Sequence, residues 1–266
     1  CEWPLAVSSV DATDLLQLAR AKDVRHIVGL QSHFAPGFLY MSELLKDGYI
    51  GQPMTFHLHM FLSGALQPRP SARMNSARKE TGSTTLTNAG GHSMEMLTWL
   101  LGDIEAVAAQ VSTQIGEWVT SDTQERVEVT APDNVGIVAR LRNGAVGTVQ
   151  LSSTTVEGGG FRLEVYGTDG KLAATAGGML GWSLVRLFGA RKGEQEEEIT
   201  IPERLKWVSG LPLESPGYNI AQLFFRFAEA IHTSNDLRPS FADAARMHQL
   251  LEAIDRSSAT RGWVDL

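Results

Sequence analysis

The chain has 266 residues, 43% apolar and 20% charged, with 23 Lys and Arg against 30 Asp and Glu for a net charge of -7. That length can bury a sizeable core, as one large domain or two small ones, and the composition is ordinary for a globular protein. The acidic balance argues against a nucleic-acid surface, and no apolar run approaches the ~20 residues of a membrane span. No secretory signal is visible and the single cysteine, Cys1, leaves no disulfide within the chain, so a cytoplasmic setting is expected. A chain that opens on Cys1 and continues as apolar strand interior reads as a fragment of something longer.

Residues 2–7 read as a strand. Ser8 and Ser9 offer N-caps for a helix that carries Leu15, Leu16, Leu18 and Ala19 on one side. The run 24–30 has the continuous apolar character of a buried parallel strand, which makes one βαβ unit. A helix follows over 38–45, ending near Gly48, and 54–62 alternates as a strand. Residues 67–81 are polar, rich in Arg, Ser and Pro, with no apolar period. Long loops of this kind serve as lids or binding loops. Residues 91–101 form a helix with Met94, Leu97, Trp99 and Leu101.

From residue 105 the pattern becomes β. One strand covers 106–115. Strands 135–141 and 145–151 flank Arg142-Asn143-Gly144, and strands 161–166 and 171–175 flank Gly167-Thr168-Asp169-Gly170, two strong hairpin signals. Strands 183–188 and 197–201 add an edge whose acidic run, 194–198, is solvated and discourages aggregation. Gly158-Gly159-Gly160 follows a strand but no helix follows it, so it is a loop and not a phosphate cradle. Helices over 219–232 and 241–256 close the chain, with a turn at 236–240 between them. The order gives an α+β fold: a remnant of a βαβ unit, then a mainly antiparallel sheet with helices on one face.

Several stretches occur in an order that carries a resemblance: Glu2-Trp3-Pro4, Gln31-Ser32-His33-Phe34-Ala35-Pro36, Gly48-Tyr49-Ile50-Gly51, and a closing Arg256-Ser257-Ser258 through Gly262-Trp263-Val264-Asp265-Leu266. Over nearly its whole length the chain resembles the glucose–fructose oxidoreductase/inositol dehydrogenase family. Members join an N-terminal Rossmann domain to an α+β domain with a large open sheet. The resemblance implies that residues 1–34 are the C-terminal part of a dinucleotide-binding Rossmann domain, the rest lying upstream. It implies that 35–266 form a substrate and oligomerisation domain. It also implies NAD or NADP as cofactor, held mostly by the upstream domain, and hydride transfer at a hydroxyl of a small sugar or cyclitol. A homo-oligomer, a dimer, paired through the sheet face is expected. Within the family, Glu2-Trp3-Pro4-Leu5, Leu30-Gln31 and Leu86-Thr87 to Gly91-His92 look like the branch containing the galactose-pathway repressor of yeasts. That protein keeps the fold and binds a dinucleotide but acts through protein contacts, so a catalytically silent regulator with a protein partner is the alternative.

Enzymes of the family place Asp and His four residues apart at a helix start, and a lysine from Glu-Lys-Pro near the reacting hydroxyl. Here His92 stands, but Asn88 and Trp3 occupy the other two positions. Asparagine orients a ring and holds no charge. A lone histidine still serves as general base when its pKa lies near the operating pH. His92 and Asn88 are therefore the candidate catalytic residues, with a structural or ligand-contact role for His92 as the other reading. Glu2, Trp3 and Gln31 are the candidate cofactor contacts; Trp3 would fill substrate volume or stack on the nicotinamide, and strand-end hydrogen bonding is the plain reading of Glu2 and Gln31. His57 and His59 share one strand face, a geometry open to zinc, but no third ligand is evident and no metal is expected. Arg69, Arg73, Arg78 and Lys79 either contact phosphate or sugar or belong to a solvated loop. Met94, Met96 and Trp99 read as core.

Overall fold

Residues 1–233 and 238–266 are described by the computed structural model. Helix α1 (Ser9–Ala21) starts where Ser8 Oγ accepts the backbone N–H of Asp11 at 3.1 Å. It buries Ala12, Leu16 and Ala19, and it packs against the long helix α5, while Leu15 and Leu18 stay exposed. A short 3-10 turn (Gln31–Phe34) leads into α2 (Pro36–Lys46), with proline in the first turn where no N–H is needed. Strand β1 (Pro53–Phe61) and helix α3 (Gly91–Leu101) follow. Then come β2 (Ile104–Ser112), β3 (Glu117–Val119), β4 (Arg126–Glu128), β5 (Asn134–Leu141) and β6 (Val146–Ser152). The chain continues through β7 (Gly160–Gly167), β8 (Gly170–Ala176), β9 (Val185–Arg191) and β10 (Glu197–Ile199). It ends with α4 (Tyr218–Thr233), α5 (Phe241–Thr260) and β11 (Val264–Asp265).

Among the described residues nine strands form one sheet, ordered β10-β9-β8-β7-β1-β6-β5-β2-β11. Every pairing in it is antiparallel except β1 with β6, where Leu58 lies opposite Val149. Both hairpins expected from turn residues are present, β5–β6 and β7–β8. Helices α2, α3 and α5 contact the sheet on one face, and there Leu58, Met60, Val149, Leu151, Leu163 and Val165 are buried. The opposite face, with His57, Val138, Val146 and Tyr166, is open. At the β10 edge the acidic run is paired in part: Glu196 meets Lys171 at 2.8 Å, and Glu198 meets Arg186.

Two expected strands are corrected. Residues 2–7 and 24–30 share a single parallel bridge, Glu2 to Gly29. Pro4 lacks the N–H that a ladder needs, and Val28 N donates instead to Pro239 O at 2.9 Å. The βαβ remnant is thus one helix and one bridge. Residues 236 and 237 of the expected 236–240 turn lie outside the described residues. Where description resumes, Ser240 and Asp243 form a capping box that starts α5. The expected loop at 67–81 contains the 3-10 turns Ser71–Ala77 and Lys79–Thr81. Against it stands a hairpin the sequence did not reveal, β3–β4, and together they bury a small satellite core of Ala65, Ala77, Trp118, Val129 and Ala131. No helix among the described residues is long and apolar enough to cross a membrane.

Candidate functional site

Asn88 lies on a five-residue π turn, Leu86–Gly90, that runs without a break into α3. Its amide Nδ2 donates to Ser83 Oγ at 3.2 Å. Such an inserted turn is frequent where a helix serves a site. Asn88 lines a cavity of about 570 Å³, bounded also by Arg69, Arg73, Trp118, Asp133 and Ser153. The polar loop after β1 therefore does form one wall of a cavity.

Asp133 is 3% exposed and fixes the rim. Its two carboxylate oxygens accept the backbone N–H groups of Gln114 and Ile115 at 2.8 and 2.9 Å, and the Asn134 amide at 3.1 Å. Asp133→Ala strands those donors and is expected to cost about 3 kcal/mol, read as a lowered urea midpoint with unchanged m. Asp133→Asn, which keeps one acceptor, is expected to lose less.

His92 sits four residues beyond Asn88 but faces elsewhere. It is 7% exposed and does not line the cavity. Its Nδ1 is fully enclosed without a hydrogen-bond partner, and burial pushes its pKa down to about 4. The ring is therefore neutral at neutral pH. Six buried side-chain polar atoms lack a partner among the described residues. Five of them, Gln31 Oε1, Ser32 Oγ, His92 Nδ1, Ser93 Oγ and Glu95 Oε2, lie on the Gln31–Phe34 turn and on α3, which touch. His33 Nδ1 and Glu95 Oε1, 2.9 Å apart, tie the two together. Native interiors satisfy nearly all such atoms, so among the described residues this seam is where the interior is least satisfied.

Glu2 and Gln31 line a second cavity, of about 280 Å³, beside α4. Gly29 admits the Glu2 carboxylate: a Cβ there would lie 2.4 Å from it. Burial raises the Glu2 pKa above its ordinary value. Gln31 is 1% exposed, its Oε1 unpartnered. Trp3 lines neither cavity. Its indole is 5% exposed, donates from Nε1 to Thr87 O at 2.8 Å, and lies 4.7 Å from the His248 ring.

His57 and His59 project from β1 on the open sheet face, His57 Nδ1 2.8 Å from Thr148 Oγ1 and His59 stacked on Phe61. Among the described residues no three His, Cys, Asp or Glu side chains come together as a metal site would require. Of the four basic loop residues, Arg78 pairs with Glu128 at 3.1 Å and Lys79 with Asp255 at 2.6 Å, whereas Arg69 and Arg73 line the cavity. The part of the site that sequence reasoning missed is Trp118 on β3, whose ring lies 3.8 Å beneath the Arg69 guanidinium. The three residues Glu117-Trp118-Val119 carry too little pattern to have signalled it.

The family profile described as GFO/IDH/MocA C-terminal domain matches residues 38–173. An uncharacterized oxidoreductase of Synechocystis sp. is 24% identical over 265 residues, 99% of this chain and 71% of that protein. The levoglucosan dehydrogenase of Pseudarthrobacter phenanthrenivorans is 23% identical over 286 residues, 100% of this chain and 73% of that protein. Among solved structures, levoglucosan dehydrogenase in complex with NADH and L-sorbose superposes with a TM-score of 0.85 at 22% identity, over 100% of this chain and 72% of that one. A super-repressor mutant of Gal80p from Saccharomyces cerevisiae does so with a TM-score of 0.85 at 19% identity, over 99% and 71%. At these identities the superpositions show a shared fold. With the profile spanning more than half of its length, the chain belongs to the GFO/IDH/MocA family.

Proposed function

We propose that this chain is the substrate-side part of an NAD(P)-dependent oxidoreductase acting on a hydroxyl of a sugar or cyclitol. The observation that supports it most is the juxtaposition around α3: a roomy cavity walled by Asn88, and next to it a seam of unsatisfied polar atoms that includes His92 and Gln31. Relatives named levoglucosan dehydrogenase and myo-inositol 2-dehydrogenase, the latter from Thermotoga maritima and 25% identical over 175 residues, agree with it. Bound NAD(P)+ would supply the hydride acceptor for the carbinol C–H, alcohol and NAD(P)+ giving ketone, NAD(P)H and a proton. Gln31 Oε1 and the Glu2 carboxylate fit such a dinucleotide, as acceptors for amide N–H or ribose hydroxyl, and would hold it. Asn88 orients the sugar through its amide. His92 remains the acid/base candidate by its position at the start of α3, and to act it must gain access from its enclosed place to the substrate hydroxyl.

Residues 1–34 then belong to the dinucleotide domain and 35–266 to the substrate domain. The exposed Leu15, Leu18, Val24 and Phe224, which line an apolar hollow of about 600 Å³, suit a flank covered by the rest of that first domain. The open sheet face suits pairing of two copies. A second reading, a dinucleotide-binding regulator without turnover, is favoured by one specific fact: neither Trp3 nor Asn88 supplies charge beside His92.

The protein with its upstream region is titrated with NAD(H) and NADP(H), then nicotinamide absorbance is followed over sugars and cyclitols. Turnover that falls a hundredfold or more in His92→Gln, at unchanged nucleotide affinity, supports the enzyme with His92 as acid/base. Tight nucleotide binding with no turnover on any substrate would favour the regulator.

A further inference from the structure

Two arginines, Arg69 and Arg73, line the cavity that Asn88 also walls. Among the described residues no ion pair involves Arg69 or Arg73, although their loop neighbours Arg78 and Lys79 each have one. Arg69 is held in place on three sides. Nη1 donates to Ser76 Oγ at 3.0 Å, Nη2 donates to Gly64 O at 2.8 Å, and the guanidinium lies 3.8 Å over the Trp118 ring. This is a rigid, partly desolvated cation, and Arg73 adds a like charge beside it. Both effects oppose its charge, burial first and Arg73 second.

The acids nearby are otherwise engaged. Asp133 lines the same cavity, but both its oxygens hold the backbone at 114 and 115. Asp122 accepts from Ser71 N and Oγ and from Thr123 N. The rest of the wall is uncharged, with Asn75, Asn88, Thr84, Thr85 and Ser153 as polar groups among apolar residues such as Met179. A neutral polyol needs donors and acceptors in balance. This cavity offers them plus two arginines against the one carboxylate of Asp133, an excess of positive charge in a molecule whose net charge is -7.

We propose that Arg69 and Arg73 form an oxyanion subsite, so that the ligand taken here is a sugar derivative bearing a carboxylate or a phosphate. Arg69, fixed on Trp118, presents its guanidinium in a set direction, as fork recognition of a planar or tetrahedral oxyanion requires. Arg73, exposed at the rim, supplies attraction at entry. The inference rests on the cavity being the sugar site proposed above.

The test is equilibrium binding, read by intrinsic tryptophan fluorescence, of D-glucuronate, D-glucose 6-phosphate, D-glucose and myo-inositol to the protein carrying its upstream region. At least one anionic sugar is expected to bind about tenfold or more tighter than glucose, and Arg73→Gln to remove about that factor of preference. Preference for glucuronate assigns a carboxylate, preference for glucose 6-phosphate a phosphate. Arg69→Lys, which keeps the charge and loses the fork, is expected to weaken the anion several-fold. Equal affinity for glucose and both anions, unmoved by Arg73→Gln, overturns the subsite. So does an Arg73→Gln effect confined to NADP(H). Anion binding without turnover leaves the subsite standing and sinks only the oxidoreductase. Turnover of neutral sugars, with neither anion bound more tightly than glucose, does the reverse.

Discussion

Trp3→Lys loses about 3–5 kcal/mol of folding stability and restores no chemistry. The family resemblance implies lysine at this position, which makes the substitution the obvious way to re-arm the site. The structure argues otherwise. The Trp3 indole is buried, and the α3 backbone touches it: a Cβ on Gly91 would lie 2.2 Å from Nε1. On its other side is the His248 ring. The one acceptor seen for this side chain is Thr87 O, 2.8 Å from Nε1. A lysine would forfeit most of the buried aromatic area, leave a void beside Gly91, and bring an ammonium into a space shaped for a flat apolar ring. Trp3→Phe keeps part of the packing and loses only the hydrogen bond, so it is expected to cost less, about 2 kcal/mol. Urea midpoints of the two variants decide it. If Trp3→Lys is within about 0.5 kcal/mol of the parent, the side chain reaches solvent and the core role assigned to Trp3 is wrong.

Trp3 also shows what was legible in the sequence. Its identity, and the absence of lysine and aspartate around His92, were plain. That the ring is a core residue was not, because its neighbours Thr87, Gly91 and His248 come from distant parts of the chain. The hairpins β5–β6 and β7–β8 were readable because their turns are local. Helix α1 was readable because Ser8 caps it. The strands at 2–7 and 24–30 shrank to one bridge because parallel pairing is a long-range matter and Pro4 interrupts it. The β3–β4 hairpin escaped because three-residue strands carry almost no pattern. The spacing of Asn88 and His92 suggested one shared face. The π turn Leu86–Gly90 alters the turn period between them, so Asn88 faces the cavity and His92 the interior. The four basic loop residues looked alike in sequence. Glu128 and Asp255, far along the chain, divide them into two paired at the surface and two left at the cavity.

His92 makes the largest pH-dependent contribution the structure shows, and its sign follows from burial. Its pKa is lowered from 6.5 to about 4 in the folded chain, with no partner charge to offset desolvation. The unfolded chain binds a proton at this site near pH 6.5, the folded chain only near pH 4. Folding therefore excludes a proton throughout that window, and stability rises with pH across it. Above about pH 6.5 the ring is neutral in both states and its packing contributes in full. As pH falls toward 4 that contribution drains away, by about 3 kcal/mol for a difference of this size. His248 is shifted the same way by burial, though Glu252 and Asp11 oppose it, so it adds to the slope with less weight. His92→Gln keeps a polar ring-sized group that does not titrate in this range. It is expected to flatten the stability profile between pH 4 and 6.5, while losing some stability at pH 7 through imperfect packing. The measurement is the urea unfolding free energy at several pH values for the parent and the variant, with their difference plotted against pH. A difference that shrinks steadily on acidification, by roughly 2–3 kcal/mol in all, places a neutral, enclosed imidazole at the head of α3. A difference independent of pH means that His92 titrates normally when folded. It would then be open to solvent and free to act as an ordinary general base, which would strengthen the enzyme reading at the expense of the regulator.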